Sequence, residues 1–149
     1  MSARRPSQLQ LVRTLAERRE QALALEVGEL MRQRASADAT SSRLRDYLQE
    51  YTGTARGGGA ARTPGDVHNE RRFVARLGCA IEQQRSRAER LARLAGEKME
   101  LWQRARANLE ALDRLLAQRE QGQQRAGQRR EQRDSDALSA RRTAVEINP

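Results

Sequence analysis

Few residues in this chain are of a type and spacing that could support chemistry. The only glycine cluster, Gly57-Gly-Gly59, is followed by Ala60-Ala-Arg-Thr-Pro64, which supplies neither the Lys nor the Ser/Thr that a phosphate-cradling loop needs in place. His68 is the single histidine and Cys79 the single cysteine. Neither has a second ligand at metal-binding spacing, and Cys79 lacks the Cys-x-x-Cys partner of a redox thiol. Glu97 and Glu100 are paired carboxylates on an open helical pattern, with no cleft around them for acid–base work. These readings predict no catalytic residue, no cofactor, no metal and no small-molecule substrate: the chain is not expected to be an enzyme.

The elements that carry these residues are helical. The chain has 149 residues, of which 37% are hydrophobic and 3% aromatic. That is too little apolar material for a conventional globule, and too few β-branched residues for a sandwich or a doubly wound sheet. Abundant Ala, Leu, Arg, Glu and Gln favour long helices. No apolar run approaches the roughly 20 residues needed to cross a bilayer. The N-terminus has charge without the apolar stretch of a secretory signal, so a reduced cytoplasmic setting is expected.

One segment interrupts the helical pattern. Thr52-Gly-Thr-Ala-Arg-Gly-Gly-Gly-Ala-Ala-Arg-Thr-Pro-Gly65 gathers five of the ten glycines and predicts a turn over about 53–65. Before it, Ser7-Gln-Leu-Gln10 matches a capping box and opens a helix over about 7–52. Its strongest row is Leu9, Ala16, Leu23, Leu30, Ala37, Leu44 and Tyr51, at spacing seven. The row three positions on keeps Val12 and Tyr47 but is broken by Arg19, Glu26, Gln33 and Thr40, with Val27 and Leu48 one position off. After the turn, Thr63 or Asp66 is placed to cap a helix over about 66–142. Its rows are Val67, Val74, Ile81, Ala88, Ala95, Trp102, Leu109, Leu116 and, three on, Leu77, Gln84, Leu91, Lys98, Ala105, Leu112. Beyond Leu116 the apolar face fades.

Folding back at Gly59 sets Leu44 opposite Val74, Leu30 opposite Ala88 and Ala16 opposite Trp102. The predicted fold is therefore all-α: one domain over 1–149, an antiparallel two-helix coiled-coil hairpin with a longer second helix, monomeric when free.

The charge is ambiguous by itself. The chain has 29 basic and 20 acidic residues, net +9, and Lys98 is the only lysine. Carboxylates interleave the arginines, as in Ala16-Glu-Arg-Arg-Glu20, which describes a solvated, ion-paired surface. A net positive charge still favours acidic partners. A zipper-type DNA reader needs a dense basic segment continuous with a parallel zipper, and a single-strand binder needs aromatic platforms. Nucleic-acid binding is therefore the secondary reading.

Two segments flanking the turn carry more aromatic and apolar surface than a seam requires. They are Leu44-Arg-Asp-Tyr-Leu-Gln-Glu-Tyr51 and Asn69-Glu-Arg-Arg-Phe-Val-Ala-Arg-Leu-Gly-Cys-Ala-Ile-Glu-Gln-Gln84. Together with Leu9-Gln-Leu-Val-Arg-Thr-Leu-Ala-Glu-Arg-Arg-Glu20, Trp102 and the Arg/Gln/Glu-rich tail, they resemble the FliJ family of flagellar export proteins over almost the whole chain. In that family a Tyr-x-x-x-Tyr precedes the turn and a Phe-x-x-x-Leu-x-x-Ala-Ile follows it. The triple-glycine turn and Gln84 depart from the family pattern.

The resemblance implies a component of the type III export apparatus, similar to the central stalk of rotary ATPases, at the cytoplasmic side of the inner membrane. It implies that the protein promotes assembly of the hexameric export ATPase ring, contacts the cytoplasmic domain of the export gate and helps hand over export chaperones. The injectisome stalk proteins share this plan and are the alternative. On the family pattern, Leu44, Tyr47, Tyr51, Phe73, Leu77, Ala80 and Gln84 at the hairpin tip are expected to bind the gate. At the open end, Leu9, Val12, Arg13, Arg18, Arg19, Arg104, Arg106, Arg114 and Arg119 are expected to meet the ATPase ring. Arginine's rigid fork suits acidic groups there, the plain alternative being local pairing with Glu17, Glu20, Glu110 and Asp113.

Overall fold

The computed structural model describes residues 4–57 and 62–147, with the backbone alone at 55–57. Two helices account for nearly all of it, α1 (Gln8–Gly57) and α2 (Pro64–Ile147), antiparallel and packed on each other with no strand among the described residues. The all-α hairpin with a longer second helix is the fold that the heptad rows predict.

Both helix starts are closed reciprocally. The Ser7 amide donates to Gln10 Oε1 at 2.8 Å, and the Gln10 amide donates to Ser7 Oγ at 3.2 Å. At α2 the cap is Thr63: its amide donates to Asp66 Oδ2 and its Oγ1 accepts from the Asp66 amide, both at 3.2 Å. Each exchange satisfies two otherwise orphaned groups. Pro64 then occupies the first helical position, where its missing N–H costs nothing. Asp66 is thus an in-helix partner of the cap.

The turn is shorter than the glycine content predicts. α1 continues to Gly57, five residues past the expected end, and α2 begins two residues early. A single glycine such as Gly53 costs a helix only about 1 kcal/mol and does not end it. The Thr52 hydroxyl donates to the Leu48 carbonyl at 3.0 Å, and Thr54 donates to that of Glu50. Gly58, Gly59, Ala60 and Ala61 lie outside the described residues.

Contacts divide the chain into two units, one of residues up to Arg19 and from Ala105 onward, the other of Glu20–Arg104. In the second unit the core is Leu23, Val27, Ala37, Leu77, Ala88, Leu91 and Ala95, with Ser41 the most buried residue. In the first it is Ala105 and Leu112, backed by half-buried Leu9, Ala16, Leu109 and Leu116. Every residue from 117 to 147 is exposed, as the fading apolar face predicts.

Both rows read from α2 point inward, whereas the second row of α1 is not the one the sequence suggests. Buried Val27 and Ser41 and half-buried Arg13, Glu20 and Leu48 form it, four positions after members of the strong row, except that after Leu30 the half-buried residue is Gln33 and Arg34 is exposed. Val12, Arg19, Glu26 and Tyr47 are exposed. This row hides in the sequence because it contains Arg13, Glu20 and Ser41. Ser41 tolerates burial because its hydroxyl accepts a hydrogen bond from Arg45 at 3.1 Å.

The register also differs from the pairing around Gly59. That pairing would set Glu26 opposite Ala92, whereas Lys98 Nζ meets Glu26 at 2.8 Å, about one heptad further along α2. Trp102 Nε1 donates to Glu20 at 2.9 Å, so its partner is Glu20 in place of the expected Ala16. Rows that repeat every seven residues match equally well after a one-heptad slide. The polar members break the tie, since this register gives Lys98, Glu20 and Arg13 opposite partners.

Candidate interaction surfaces

The first candidate surface lies in the unit of residues 20–104, where α1 ends and α2 begins. Tyr51 and Phe73 pack with ring centroids 4.8 Å apart and planes at 53°. Tyr47 meets the same Phe73 ring edge-on at 6.2 Å and 73°. Both geometries suit the aromatic quadrupole. The cluster is not a closed core: Tyr47 is 52% exposed and Phe73 37%. It forms one wall of a depression of about 770 Å3, whose polar wall includes Asp66, Asn69, Arg62 and Glu70. Arg62 and Glu70 form an ion pair across it.

The seven residues expected here separate into three groups. Tyr47, Tyr51 and Phe73 are brought together at the depression. Leu77 is buried in the seam, and Leu44 is half-buried in the strong row of α1. Ala80 and Gln84 are half-buried about two and three turns beyond Phe73, outside the depression. Sequence reasoning passed over Arg62, Asp66, Asn69 and Glu70. A helical-face reading could have found three of them, because Asp66, Asn69 and Glu70 precede Phe73 at spacings of seven, four and three.

The second candidate surface lies in the other unit. Arg13 is its best-anchored cation: Nε donates to Asp113 at 2.7 Å and Nη1 to Glu17 at 2.8 Å. The hydrogen bond and charge of Asp113, with Glu17 adding to them, raise the Arg13 pKa above its ordinary value, so Arg13 stays charged. Arg106 and Arg114 share Glu110 at 3.5 and 3.9 Å. Arg18, Arg19 and Arg119 are exposed and have no ion pair among the described residues. Arg119 lines two shallow depressions, one with Arg4, Arg5 and Leu116, the other with Leu9, Val12 and Leu115. Arg104 belongs to the unit of residues 20–104, where it is exposed. Local pairing therefore accounts for Arg13, Arg106 and Arg114, while Arg18, Arg19 and Arg119 keep uncompensated charge. Arg4, Arg5 and Leu115 were not anticipated, since only packing brings them beside Arg119.

The residues considered for chemistry stand apart from both surfaces. His68, Cys79, Glu97 and Glu100 are all exposed, and the described residues contain no group of three or more potential metal ligands. No described helix is long and apolar enough to cross a membrane.

Neither curated proteins nor solved structures gave a match to this sequence. The family described as Flagellar FliJ protein matches it over residues 5–146, a span that takes in both helix caps, the aromatic cluster and all but Arg4 of the two candidate surfaces. The chain therefore belongs to the FliJ family and is a component of flagellar protein export.

Proposed function

We propose that this protein is a non-enzymatic, monomeric stalk of the export apparatus, a coiled-coil domain over residues 1–149 that works by docking. Its partners on this reading are the hexameric export ATPase, the cytoplasmic domain of the export gate and the export chaperones. It acts in the cytoplasm and reaches the inner membrane only through those partners.

The observation that carries the reading is the exposed aromatic cluster of Tyr47, Tyr51 and Phe73. Exposing aromatic surface to water is unfavourable, and such residues are the usual anchors of interfaces. The gate-binding assignment accordingly centres on Tyr47 and Phe73, with Tyr51 supporting the Phe73 ring. Leu44 and Leu77 act there by holding the helices together, and Ala80 and Gln84 extend the surface along α2.

For the ATPase ring, exposed Arg18 and Arg19 and Arg119, the last lining a depression with Leu9 and Val12, supply the charge that acidic groups would neutralise. Arg13, Arg106 and Arg114 shape that surface through their local pairs, and Arg104 adds positive charge to the unit of residues 20–104. Arginine pairs that are desolvated on docking discriminate partners more strongly than exposed ones. The test is capture of the purified export ATPase by the full chain, with and without nucleotide, alongside binding to the gate's cytoplasmic domain. ATPase capture and stimulation support the stalk role; capture of neither partner by the folded protein would overturn it.

A further inference from the structure

A third surface lies within the unit of residues 20–104, away from the aromatic cluster, around the chain's only lysine. Lys98 sits in the second inward row of α2, and Ala95 and Trp102 turn toward α1 beside it. Leu94 and Leu101, four before and three after Lys98, therefore stand on its other flank, 45% and 36% exposed. Glu26 reaches Lys98 from that flank. With them α1 contributes Leu25, 77% exposed, and Leu30, which line a depression of about 420 Å3 beside Glu29 and Lys98. None of the exposed leucines serves the core, which Leu23, Val27, Leu91 and Ala95 already fill. The depression is lined from α1 and by Lys98 of α2, and Leu94 and Leu101 lie exposed about one turn to either side of Lys98.

Charge on the two rims is unequal. On the α1 rim, Glu26 is neutralised by Lys98, while Glu29 is held by Arg32 and by Gln33 at 3.1 Å. On the α2 rim, Arg87 and Arg90 precede Leu94 by seven and four residues, and no ion pair occupies either among the described residues. Among the described residues Glu97, seven residues after Arg90, has no ion pair, nor has Glu82, which lines a depression with Arg90 on its other side. The spacing Arg87, Leu94, Leu101 continues at seven, so an occupant of matching periodicity presents apolar residues over the leucines and charge to the rim at each turn.

We infer that this surface docks a third helix, an amphipathic and acidic-edged segment of a partner protein. The stretch from Arg87 to Leu101 is about 21 Å of helix at 1.5 Å per residue, which four turns of a partner would cover. Nucleic acid suits the surface poorly, because Glu26, Glu29 and Glu97 border it and no aromatic ring offers a stacking platform. The inference does not depend on which partner occupies the aromatic cluster or the arginine surface.

The test uses the full chain and a fluorescent 20-residue amphipathic peptide with leucine on one face and glutamate on its edges. A matched peptide carries lysine in place of the glutamates. Leu94→Gln with Leu101→Gln, and separately Arg87→Glu with Arg90→Glu, alter only exposed positions, and circular dichroism verifies their helicity. Binding of the glutamate peptide, at least tenfold tighter than the lysine peptide and at least tenfold weakened by each double variant, supports the inference. Should the leucine variant lose helicity, the arginine variant and the two peptides decide the matter. Equal binding by wild type and variants, or no binding, overturns it. Leucine-dependent retention on anionic phospholipid vesicles without peptide binding would assign this face to a lipid surface, and leucine-dependent dimerisation in sedimentation to a second copy. Either of those results also overturns it.

Discussion

Tyr47 and Phe73 illustrate how a residue can serve a surface without supporting the fold. The aromatic contact between them contributes about 0.5–1.5 kcal/mol beyond simple burial, and both rings already face solvent. Changing both to Ala should therefore shift the thermal midpoint modestly while weakening gate binding at least tenfold, checked by calorimetric titration against the gate's cytoplasmic domain. Unchanged affinity in a helical double variant would remove the gate assignment. Arg13 is the converse case, a half-buried cation that ties α1 to α2 through Asp113. Its raised pKa sets the sign of any pH effect: the stabilisation is complete below the ordinary guanidinium value and is lost only as pH climbs through the higher, folded-state value. Arg13→Ala and Asp113→Ala should each lower stability, and the double variant should lose less than their sum in urea denaturation. Strict additivity would show that the pair is not coupled.

At the scale of the elements, caps and seam residues make different contributions. Thr63→Ala removes the hydroxyl that accepts from the Asp66 amide and should cost about 1 kcal/mol. Leu23→Ala leaves a void in the seam and should cost about 2–5 kcal/mol in the same urea experiment. Equal losses for the two would mean that Leu23 is not packed as described. The register has its own reporter. Trp102 donates to Glu20, so Glu20→Ala should change the Trp102 emission maximum, whereas the pairing around Gly59 would leave these residues apart.

On the scale of the whole chain, the long second helix divides into a part that packs and a part that does not. Residues 117–147 bury nothing, and a solvated helix of that kind adds little to cooperative stability. A chain ending after Gln123 should melt within a few degrees of the full protein, since the change in stability is expected within about 0.5 kcal/mol. A large drop in midpoint would reveal contacts made by the missing segment. Arg18, Arg19 and Arg119 reversed together to Glu should abolish ATPase stimulation at low salt while leaving gate binding intact. Stimulation equal to the unaltered protein would place the ATPase contact elsewhere.

The sequence by itself determined the helical class, the strong rows, the start of α1 and the point beyond which the seam fades. Each depends on local propensity or on a repeat of seven, which neighbours along the chain set without help from distant residues. The Ser7 to Gln10 exchange and the all-exposed stretch after Leu116 are two such features. Tertiary structure alone decided the register and the second seam of α1. Arg13, Glu20 and Ser41 read as surface residues until Asp113, Trp102 and Arg45 give their polar groups partners. It likewise brought Arg62 and Glu70 to the aromatic cluster, and Leu25 to the flank of Lys98. Heptad rows fix which face of each helix turns inward, but they are blind to a slide of one repeat. Only complementary charges across the seam and the length of the turn remove that degeneracy.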